Sequence, residues 1–189
     1  DHAGSIEKLL DLIPGLTIVG HPNAVEFLRE ICNRDFPYQI ISNRSEIALG
    51  GKTLHFINAL LLHWPDTMYT YVKEDKILFS CDSFGSHYPD ERLFNDLIDK
   101  DLTEELRDYF HHILGPFKIP MQRALDRLET YDIDIICPGH GPVLRENLDY
   151  YIKLYREWSK ETTVTDTQPT VILAWISAHG YTEKLATSI

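Results

Sequence analysis

Short apolar runs alternate with helical patterns along most of this chain, and this alternation limits the possible folds more than any other feature of the sequence. Each apolar run is short enough to be one strand of a packed sheet, and apolar residues recur at helical spacing between several runs. Such an alternation predicts an α/β protein or mixed α and β layers. Predicted strands cover residues 16–19, 38–41, 53–62, 67–72, 77–81, 133–137 and 171–176. Predicted helices cover residues 6–13, 22–31, 91–98, 103–113, 120–131 and 146–160.

The composition excludes several classes of protein. Of the 189 residues, 43% are hydrophobic and 25% are charged, which is typical of a folded chain and excludes a collagen-like or low-complexity one. The formal net charge of −11 argues against a nucleic-acid partner, because proteins that bind phosphate backbones cluster Lys and Arg. No apolar run reaches the ~18 residues of a membrane span, so we expect no membrane partner.

The three cysteines are Cys32, Cys81 and Cys137. Their odd number and the absence of a C-x-x-C pair argue against a disulfide framework and against a structural zinc ribbon. Each lies among apolar residues, so we predict that all three are buried small hydrophobes. Free thiols are typical of a reducing compartment, which favours a cytoplasmic localisation.

The two ends of the sequence suggest a particular domain organisation. The chain begins at Asp1 without an initiator methionine and stops at Ile189 within an apparent helix, so we expect a piece of a longer protein. Residues 162–169 are polar and rich in Thr, which predicts a linker. We therefore predict one domain over residues 1–161, the linker over 162–169, and the start of a second domain over 170–189.

A loop of small residues follows the last predicted strand and precedes a predicted helix. Hydroxyl groups and a glycine at such a place can hold a phosphate with backbone N–H groups and the helix dipole. An ordinary strand-to-helix turn has the same composition, so the loop alone leaves both interpretations open. The candidate phosphate-binding residues are Ser177, His179, Gly180, Tyr181 and Thr182.

Acidic and imidazole side chains follow or precede several of the predicted buried elements. A rigid scaffold can direct side chains in such loops at one point. Carboxylate and imidazole ligands suit iron, zinc or manganese, and an aspartate can bridge two metal ions. The candidate metal ligands are Asp1, His2, His63, Asp82 and His140.

Each of these positions also has an ordinary structural explanation. Asp82 could cap the turn that follows its strand, and His140 could shape a tight loop between two glycines. A histidine at the end of a strand is often only a hydrogen-bonded loop residue. These explanations do not account for the recurrence of such residues at the ends of buried elements, so a metal site is the prediction that covers all of them.

Several segments together resemble the flavodiiron proteins, also called A-type flavoproteins. Residues 1–5 (DHAGS) are similar to the second half of the family motif His-x-Glu-x-Asp-His-x-Gly-Ser. Residues 62–68 (LHWPDTM) and 78–85 (LFSCDSFG) are similar to the most distinctive family segments, and 138–142 (PGHGP) to the last ligand loop. The loop 177–182 resembles the phosphate loop that opens the flavodoxin-like domain of the family.

The resemblance implies a fold and a ligand set. The fold class is α+β: an incomplete αβ/βα metallo-β-lactamase-like sandwich, followed by the first strand and helix of a flavodoxin-like α/β domain. Asp1, His2 and His140 would bind one iron ion. His63 would bind the other, and Asp82 would bridge both. The His and Glu of the first half of the family motif would precede Asp1.

The resemblance also implies an activity with its cofactors and partners. The parent protein would be an oxidoreductase that reduces dioxygen to water, nitric oxide to nitrous oxide, or both. Two non-haem iron ions would form the centre, and FMN would deliver electrons to it. Rubredoxin or a flavin/NADH-dependent reductase would be the electron donor, and two copies would form a head-to-tail homodimer. His87, Trp64 and Tyr88 are candidates for orienting the ligating rings.

Two alternative functions stay open at the level of the sequence. A zinc-dependent hydrolase of the metallo-β-lactamase superfamily would share the ligand spacing, but not the His-Trp-Pro-Asp segment followed by a flavodoxin-like start. A metal-poor fragment without activity is the second alternative, because two of the implied ligands are not among these residues. The identity of the bound metal would separate the redox enzyme from the hydrolase.

Overall fold

The computed structural model describes residues 2–160 and 173–188. A five-stranded mixed sheet has the order β3-β4-β5-β6-β7, in which β7 runs parallel to β6 and the other neighbours are antiparallel. A separate parallel pair joins β1 to β2. The strands are β1 (Ile18–Gly20), β2 (Tyr38–Ile40), β3 (Glu46–Ala48), β4 (Thr53–Asn58), β5 (Met68–Val72), β6 (Ile77–Cys81) and β7 (Ile135–Pro138).

Six α-helices lie within the described ranges, and together with the sheets they confirm the predicted mixed α+β class. They are α1 (Ile6–Leu12), α2 (Pro22–Cys32), α3 (Thr103–Tyr109), α4 (Lys118–Leu128), α5 (Leu148–Trp158) and α6 (Tyr181–Ala186). Short 3-10 turns occupy Asn95–Leu97 and Gly115–Phe117, and a π-helical turn, Phe110–Leu114, continues α3. No helix in the described ranges is both long enough and apolar enough to cross a lipid bilayer.

The main hydrophobic core lies between the five-stranded sheet and helices α3, α4 and α5. Alternate residues of the strands enter this core, as period-2 strand geometry requires: Tyr69 and Tyr71 of β5 are buried in it. Apolar residues at helical spacing complete it from α3, α4 and α5. This packing fixes the positions of the sheet edges, and therefore of the loops that leave them.

A second, smaller core joins α2 to β1. It contains Ile18, Val25, Leu28 and Phe36, and residues of α1 pack against it. His21 is the N-cap of α2, where its Nδ1 accepts a hydrogen bond from the Asn23 N–H at 3.3 Å.

The structure differs from the prediction at residues 91–98, which do not form an α-helix. Phe94 forms a bridge to Val143 instead, and the backbone N–H of Asn95 donates to the Val143 carbonyl at 2.9 Å. The side chain of Asn95 accepts from the Arg145 N–H at 2.9 Å and donates to the Glu146 carbonyl at 3.0 Å. These long-range hydrogen bonds replace the ones that a helix would supply.

Other differences concern the strands. The predicted strand 53–62 ends at Asn58, so His63 lies in a loop and not at the end of a strand. The edge strand Glu46–Ala48 was not predicted, because it is short and mostly exposed. Residues 173–176 form no strand, and no described strand pairs with them; residues 171–172 and the predicted linker 162–169 lie outside the described residues.

Candidate metal centre

Three loops meet at one edge of the five-stranded sheet because of the directions of its strands. Strands β6 and β7 are parallel, so the loops that follow them leave at the same edge. Strand β5 is antiparallel to β6, so the loop between β4 and β5 lies at that edge too. These loops carry Asp82, His140 and His63, and His2 reaches the same place from the N-terminal segment.

Asp82 lies in a tight turn at the end of β6. A bulge at the end of β6 shifts its register against β7, and Cys81 has a left-handed backbone with φ of 51°. The Ser80 hydroxyl donates to the Ser83 carbonyl at 2.7 Å, and the Tyr69 hydroxyl donates to the Ser83 Oγ at 2.6 Å. These bonds fix the turn while Asp82 itself is only 1% exposed.

The glycines on either side of His140 hold its loop against the Asp82 turn. The Ser86 N–H donates to the His140 carbonyl at 3.2 Å. Gly141 has φ of +79°, and a Cβ at this position would lie 2.2 Å from the Ser86 Oγ. A Cβ on Gly139 would lie 3.2 Å from the Cε1 of His2. A side chain at position 141 would clash with Ser86, and one at position 139 would require its neighbours to shift by a few tenths of an ångström.

The loop that carries His63 is closed by hydrogen bonds of its own. The Leu61 N–H donates to the Trp64 carbonyl at 2.8 Å. The Thr67 hydroxyl donates to the same carbonyl at 3.0 Å and accepts from the Trp64 N–H at 3.3 Å. Leu62 is fully buried, so it anchors the loop beside His63 in the main core.

The side chains from these segments converge on the two oxygens of one carboxylate. Oδ1 of Asp82 lies 3.5 Å from His2 Nε2 and 3.4 Å from His140 Nε2. The two imidazole nitrogens are 3.1 Å apart. On the other side, Oδ2 of Asp82 lies 3.5 Å from His63 Nε2. One buried carboxylate therefore faces two imidazoles with one oxygen and a third imidazole with the other.

This arrangement fits metal ions. Ligand atoms ~2.1 Å from a common ion lie roughly 3.0–3.4 Å apart at octahedral or tetrahedral angles, close to the separations among His2, His140 and Asp82. The Oδ2 atom of Asp82 is buried and lacks a hydrogen-bond partner among the described residues. Burying a carboxylate oxygen without a hydrogen-bond donor destabilises the folded state, and a cation beside that oxygen offsets the destabilisation. His63 stands next to this oxygen, where a second ion would meet both.

Tyr109 of α3 also contacts the site, although no sequence motif indicates it. Its hydroxyl donates to Asp82 Oδ1 at 3.4 Å, and its ring packs edge-on against His87 with centroids 4.7 Å apart. Burial, and next the charge of Asp82, raise the pKa of Tyr109 far above its usual range, so the phenol keeps its proton. The apolar spacing of α3 indicates that Tyr109 is buried, but it does not indicate what its hydroxyl meets.

Cys81 also differs from the prediction of a buried hydrophobe. It is half-buried, as is Cys137, and only Cys32 of the three free thiols is fully buried. The Sγ of Cys81 lies 3.5 Å from His2 Nδ1. Burial, followed by the charge of Asp82, raises the pKa of Cys81 to about 11. His2, Cys81 and Asp82 each offer a potential metal-ligating atom within 4.8 Å of the others.

The three candidates for orienting the ligands have different surroundings. His87 is exposed, and its ring centroid lies 6.1 Å from that of His140. Trp64 is 43% exposed and lies beside His63, with ring centroids 6.0 Å apart. The Tyr88 ring instead packs under Lys100, whose Nζ lies 4.7 Å from its centroid. The orienting role of these residues stays a prediction.

The remaining predicted site residues are less informative. Asp1 lies outside the described residues. Gly180 has φ of 77° and directly precedes α6, as the predicted loop requires, while His179, Tyr181 and Thr182 are exposed and Ser177 is half-buried. The assignment of this loop to a phosphate stays a prediction.

The sequence and the fold are similar to known proteins. The family described as "ODP family beta lactamase" matches residues 1–141. The type A flavoprotein fprA of Rhodobacter capsulatus is 36% identical over 194 aligned positions, which include all of this chain and 44% of that protein. The putative diflavin flavoprotein A 2 of Synechocystis sp. is 33% identical over all of this chain and 32% of its own length.

Solved structures give the same result for the fold. The flavodiiron protein from Giardia intestinalis superposes with a TM-score of 0.79 at 34% identity, over 84% of this chain and 40% of that one. The rubredoxin oxygen:oxidoreductase from Desulfovibrio gigas superposes with a TM-score of 0.78 at 25% identity, over 84% and 41%. The described fold therefore matches the metallo-β-lactamase-like part of these proteins, as the resemblance implied.

The chain spans between about a third and a half of the length of the curated relatives it matches. The family match covers residues 1–141, which include the three loops that meet at the sheet edge. The chain therefore belongs to the ODP family of β-lactamase-like proteins and, within it, to the flavodiiron proteins.

Proposed function

We propose that this chain supplies ligands of a non-haem diiron centre in an oxidoreductase that reduces dioxygen to water, nitric oxide to nitrous oxide, or both. The observation that carries the proposal is the buried Asp82, whose two oxygens face imidazoles on opposite sides. The names of similar proteins support it: one is a type A flavoprotein and another is a rubredoxin oxygen:oxidoreductase.

Each described ligand has a role in this proposal. His2 and His140 would hold one iron ion through the Nε2 atoms that face Asp82 Oδ1, together with Asp1. His63 would hold the second ion beside Oδ2. Asp82 would bridge the two ions, because each of its oxygens faces different imidazoles. Imidazole and carboxylate ligands leave coordination positions open for a small substrate.

The cofactors supply the electrons, and the chain controls the geometry and the protons. When bound, two iron ions and FMN provide the reducing equivalents that the reaction needs. The hydrogen bonds of the Ser80–Ser83 turn hold the bridging carboxylate in a fixed orientation. Tyr109 keeps a proton next to Asp82 Oδ1, because burial disfavours its phenolate. These contacts preorganise the site before a substrate arrives.

The remaining parts of the function follow the same proposal. The loop with Ser177, His179, Gly180, Tyr181 and Thr182 would contact the FMN phosphate. A rubredoxin, or a flavin/NADH-dependent reductase, would deliver electrons, as the name of the Desulfovibrio gigas protein indicates for that protein. We propose a head-to-tail homodimer and a cytoplasmic localisation on the same family basis.

The zinc-hydrolase alternative is not favoured. Several similar proteins are instead named as flavoproteins or as flavodiiron proteins. The ligand distances alone fit zinc as well as iron, so the metal must be tested directly.

The test is a competition between Fe(II) and Zn(II) for the chain under anaerobic conditions, followed by elemental analysis. We expect iron to be bound, and Asp82→Asn to abolish that binding because the amide lacks the second oxygen and the charge. The exposed Asp134, which pairs with Lys76, provides a matched control: Asp134→Asn should bind iron as the unmodified chain does. Bound zinc with iron rejected would favour the hydrolase, and no bound metal would favour the metal-poor alternative.

A further inference from the structure

The second ring nitrogen of His2 contacts a side chain to which the proposed diiron centre gives no role. We infer that Cys81 is a positioning residue: its sulfur accepts the Nδ1–H of His2 and thereby holds Nε2 unprotonated and directed at the metal. This inference rests on the proposed function for the identity of the metal, but the contact itself is a property of the chain.

The two edges of the His2 ring face different groups. Its Nε2 lies 3.5 Å from Asp82 Oδ1 and 3.1 Å from His140 Nε2. Its Nδ1 lies 3.5 Å from the Sγ of Cys81. The sulfur therefore contacts the ring on the edge that does not face the other ligands.

The backbone places Cys81 at this edge. Cys81 has a left-handed φ of 51° and lies at the bulge that ends β6, which changes the direction of its side chain. As a result, Cys81 and Asp82 are adjacent in sequence but contact different nitrogens of the His2 ring. Gly139 closes a third side, because a Cβ there would lie 3.2 Å from both His2 Cε1 and the Cys81 carbonyl. The ring thus has neighbours on three sides, while 42% of the His2 side chain is exposed.

The chemistry of a ligating histidine explains why this contact has a function. A neutral imidazole carries one N–H, so a nitrogen that binds a metal leaves the proton on the other nitrogen. Ligating histidines usually donate that N–H to a carboxylate or a carbonyl, which fixes the tautomer and the ring orientation. His2 meets a thiol sulfur instead, which is a weak but available acceptor.

Direct ligation by Cys81 is the competing arrangement. The set of His2, Cys81 and Asp82 brings its ligand atoms within 4.8 Å of one another. The set of His2, His140 and Asp82 has separations of 3.1–3.5 Å and uses the other ring nitrogen of His2. The tighter set leaves the sulfur outside the ligands, which favours the positioning role.

The experiment compares three variants of the chain with Co(II) as the spectroscopic probe. Cys81→Ser keeps a side-chain acceptor, Cys81→Ala removes it, and both keep the backbone strain of a non-glycine residue. Cys137→Ala is the matched control, because Cys137 is also half-buried and lies on the adjacent strand β7. Long-range ¹H–¹⁵N NMR of the metal-free chain reports the tautomer of His2.

We expect Cys81→Ala to lower the Co(II) affinity by about 10–100-fold, the usual effect of removing such a partner. Cys81→Ser and Cys137→Ala should keep most of the affinity. In the metal-free state, Cys81→Ala should hold more of the Nε2–H tautomer of His2 than the unmodified chain and Cys81→Ser do.

Three results would overturn the inference: an unchanged affinity and tautomer in Cys81→Ala, an equal loss in Cys137→Ala, or a thiolate-to-cobalt charge-transfer band in the unmodified chain. The proposed function fails separately if Asp82→Asn leaves the Co(II) affinity unchanged. In that event the tautomer measurement still decides whether Cys81 holds His2.

Discussion

Asp82 is a buried carboxylate whose ionic contacts are with three histidines, none of which is permanently charged. Burying a negative charge costs several kcal/mol unless a cation or enough hydrogen-bond donors compensate it. Tyr109 supplies a donor to Oδ1 at 3.4 Å, while Oδ2 has none among the described residues. In our interpretation, the buried charge of Asp82 destabilises the metal-free chain, and a bound metal ion offsets this loss of stability.

This cost leads to a prediction for the metal-free chain at pH 8. Asp82→Asn should raise the free energy of unfolding by on the order of 1–3 kcal/mol, because it removes an uncompensated buried charge. Urea denaturation in the presence of a chelator measures the effect. A metal-free Asp82→Asn chain that is less stable than the unmodified chain would show that the three imidazoles already compensate the carboxylate.

Gly141 gives a second prediction at the scale of one residue. Gly141→Ala adds the strain of a left-handed backbone, about 1–2 kcal/mol, to a clash of its Cβ with Ser86. Gly50 is the matched control, because its φ is +70° and open space surrounds the position of a Cβ. In urea denaturation, Gly141→Ala should lose more stability than Gly50→Ala, and it should also weaken metal binding through His140. Equal losses in the two variants would mean that the Ser86 contact relaxes freely.

At the scale of the elements, the buried hydrogen bond from Tyr69 of β5 to Ser83 ties the sheet to the Asp82 turn. Burial is the main reason that the pKa of Tyr69 lies well above its usual value near 10. The folded chain therefore keeps this proton at a pH where the unfolded chain releases it. The stability from this group is complete below pH 10 and is lost as the pH rises above that value.

The resulting prediction concerns alkaline unfolding. Tyr69 should contribute a slope of about 1.4 kcal/mol per pH unit to the loss of unfolding free energy above pH 10. Tyr69→Phe should make the slope shallower by that amount, although it lowers stability at neutral pH by removing the hydrogen bond. Urea denaturation between pH 8 and 11 measures both effects. Parallel pH profiles for the two chains would contradict the assignment to Tyr69.

The helices and strands show which parts of the fold are determined by the local sequence. Strand β6 was predicted with its observed bounds, because its apolar run lies between a turn and Asp82. Residues 91–98 were predicted wrongly as a helix, because hydrogen bonds from Asn95 to a segment about 50 residues away decide their conformation. Local patterns do not contain such distant partners.

The same distinction applies to the site. His63, Asp82 and His140 were recognisable because each lies in a distinctive short motif next to a buried element. Tyr109 and the contact between Cys81 and His2 were not, because both depend on how α3 and the N-terminal segment pack on the sheet. The positions of the candidate ligands could therefore be singled out from the sequence, while the contacts of Tyr109 and Cys81 required the structure.

At the scale of the whole molecule, metal binding should stabilise the fold, because the ligands come from segments that are distant in sequence. Binding to the folded state alone adds about 2.7 kcal/mol when the free metal is at 100 times its dissociation constant. Fe(II) should therefore raise the melting temperature of the chain, and a chelator should reverse the increase. Asp82→Asn should show no such increase, while Asp134→Asn should respond as the unmodified chain does. An increase of equal size in Asp82→Asn would locate the iron elsewhere.

The central claim is that Asp82 lies between two iron ions, and it is tested most directly by anomalous diffraction from crystals of the iron-loaded protein that also contains the His and Glu of the family motif. We predict one iron peak on the Oδ1 side, between His2 and His140, and a second on the Oδ2 side, beside His63. An Asp82 carboxylate without an iron peak on one of these two sides would contradict the bridging role.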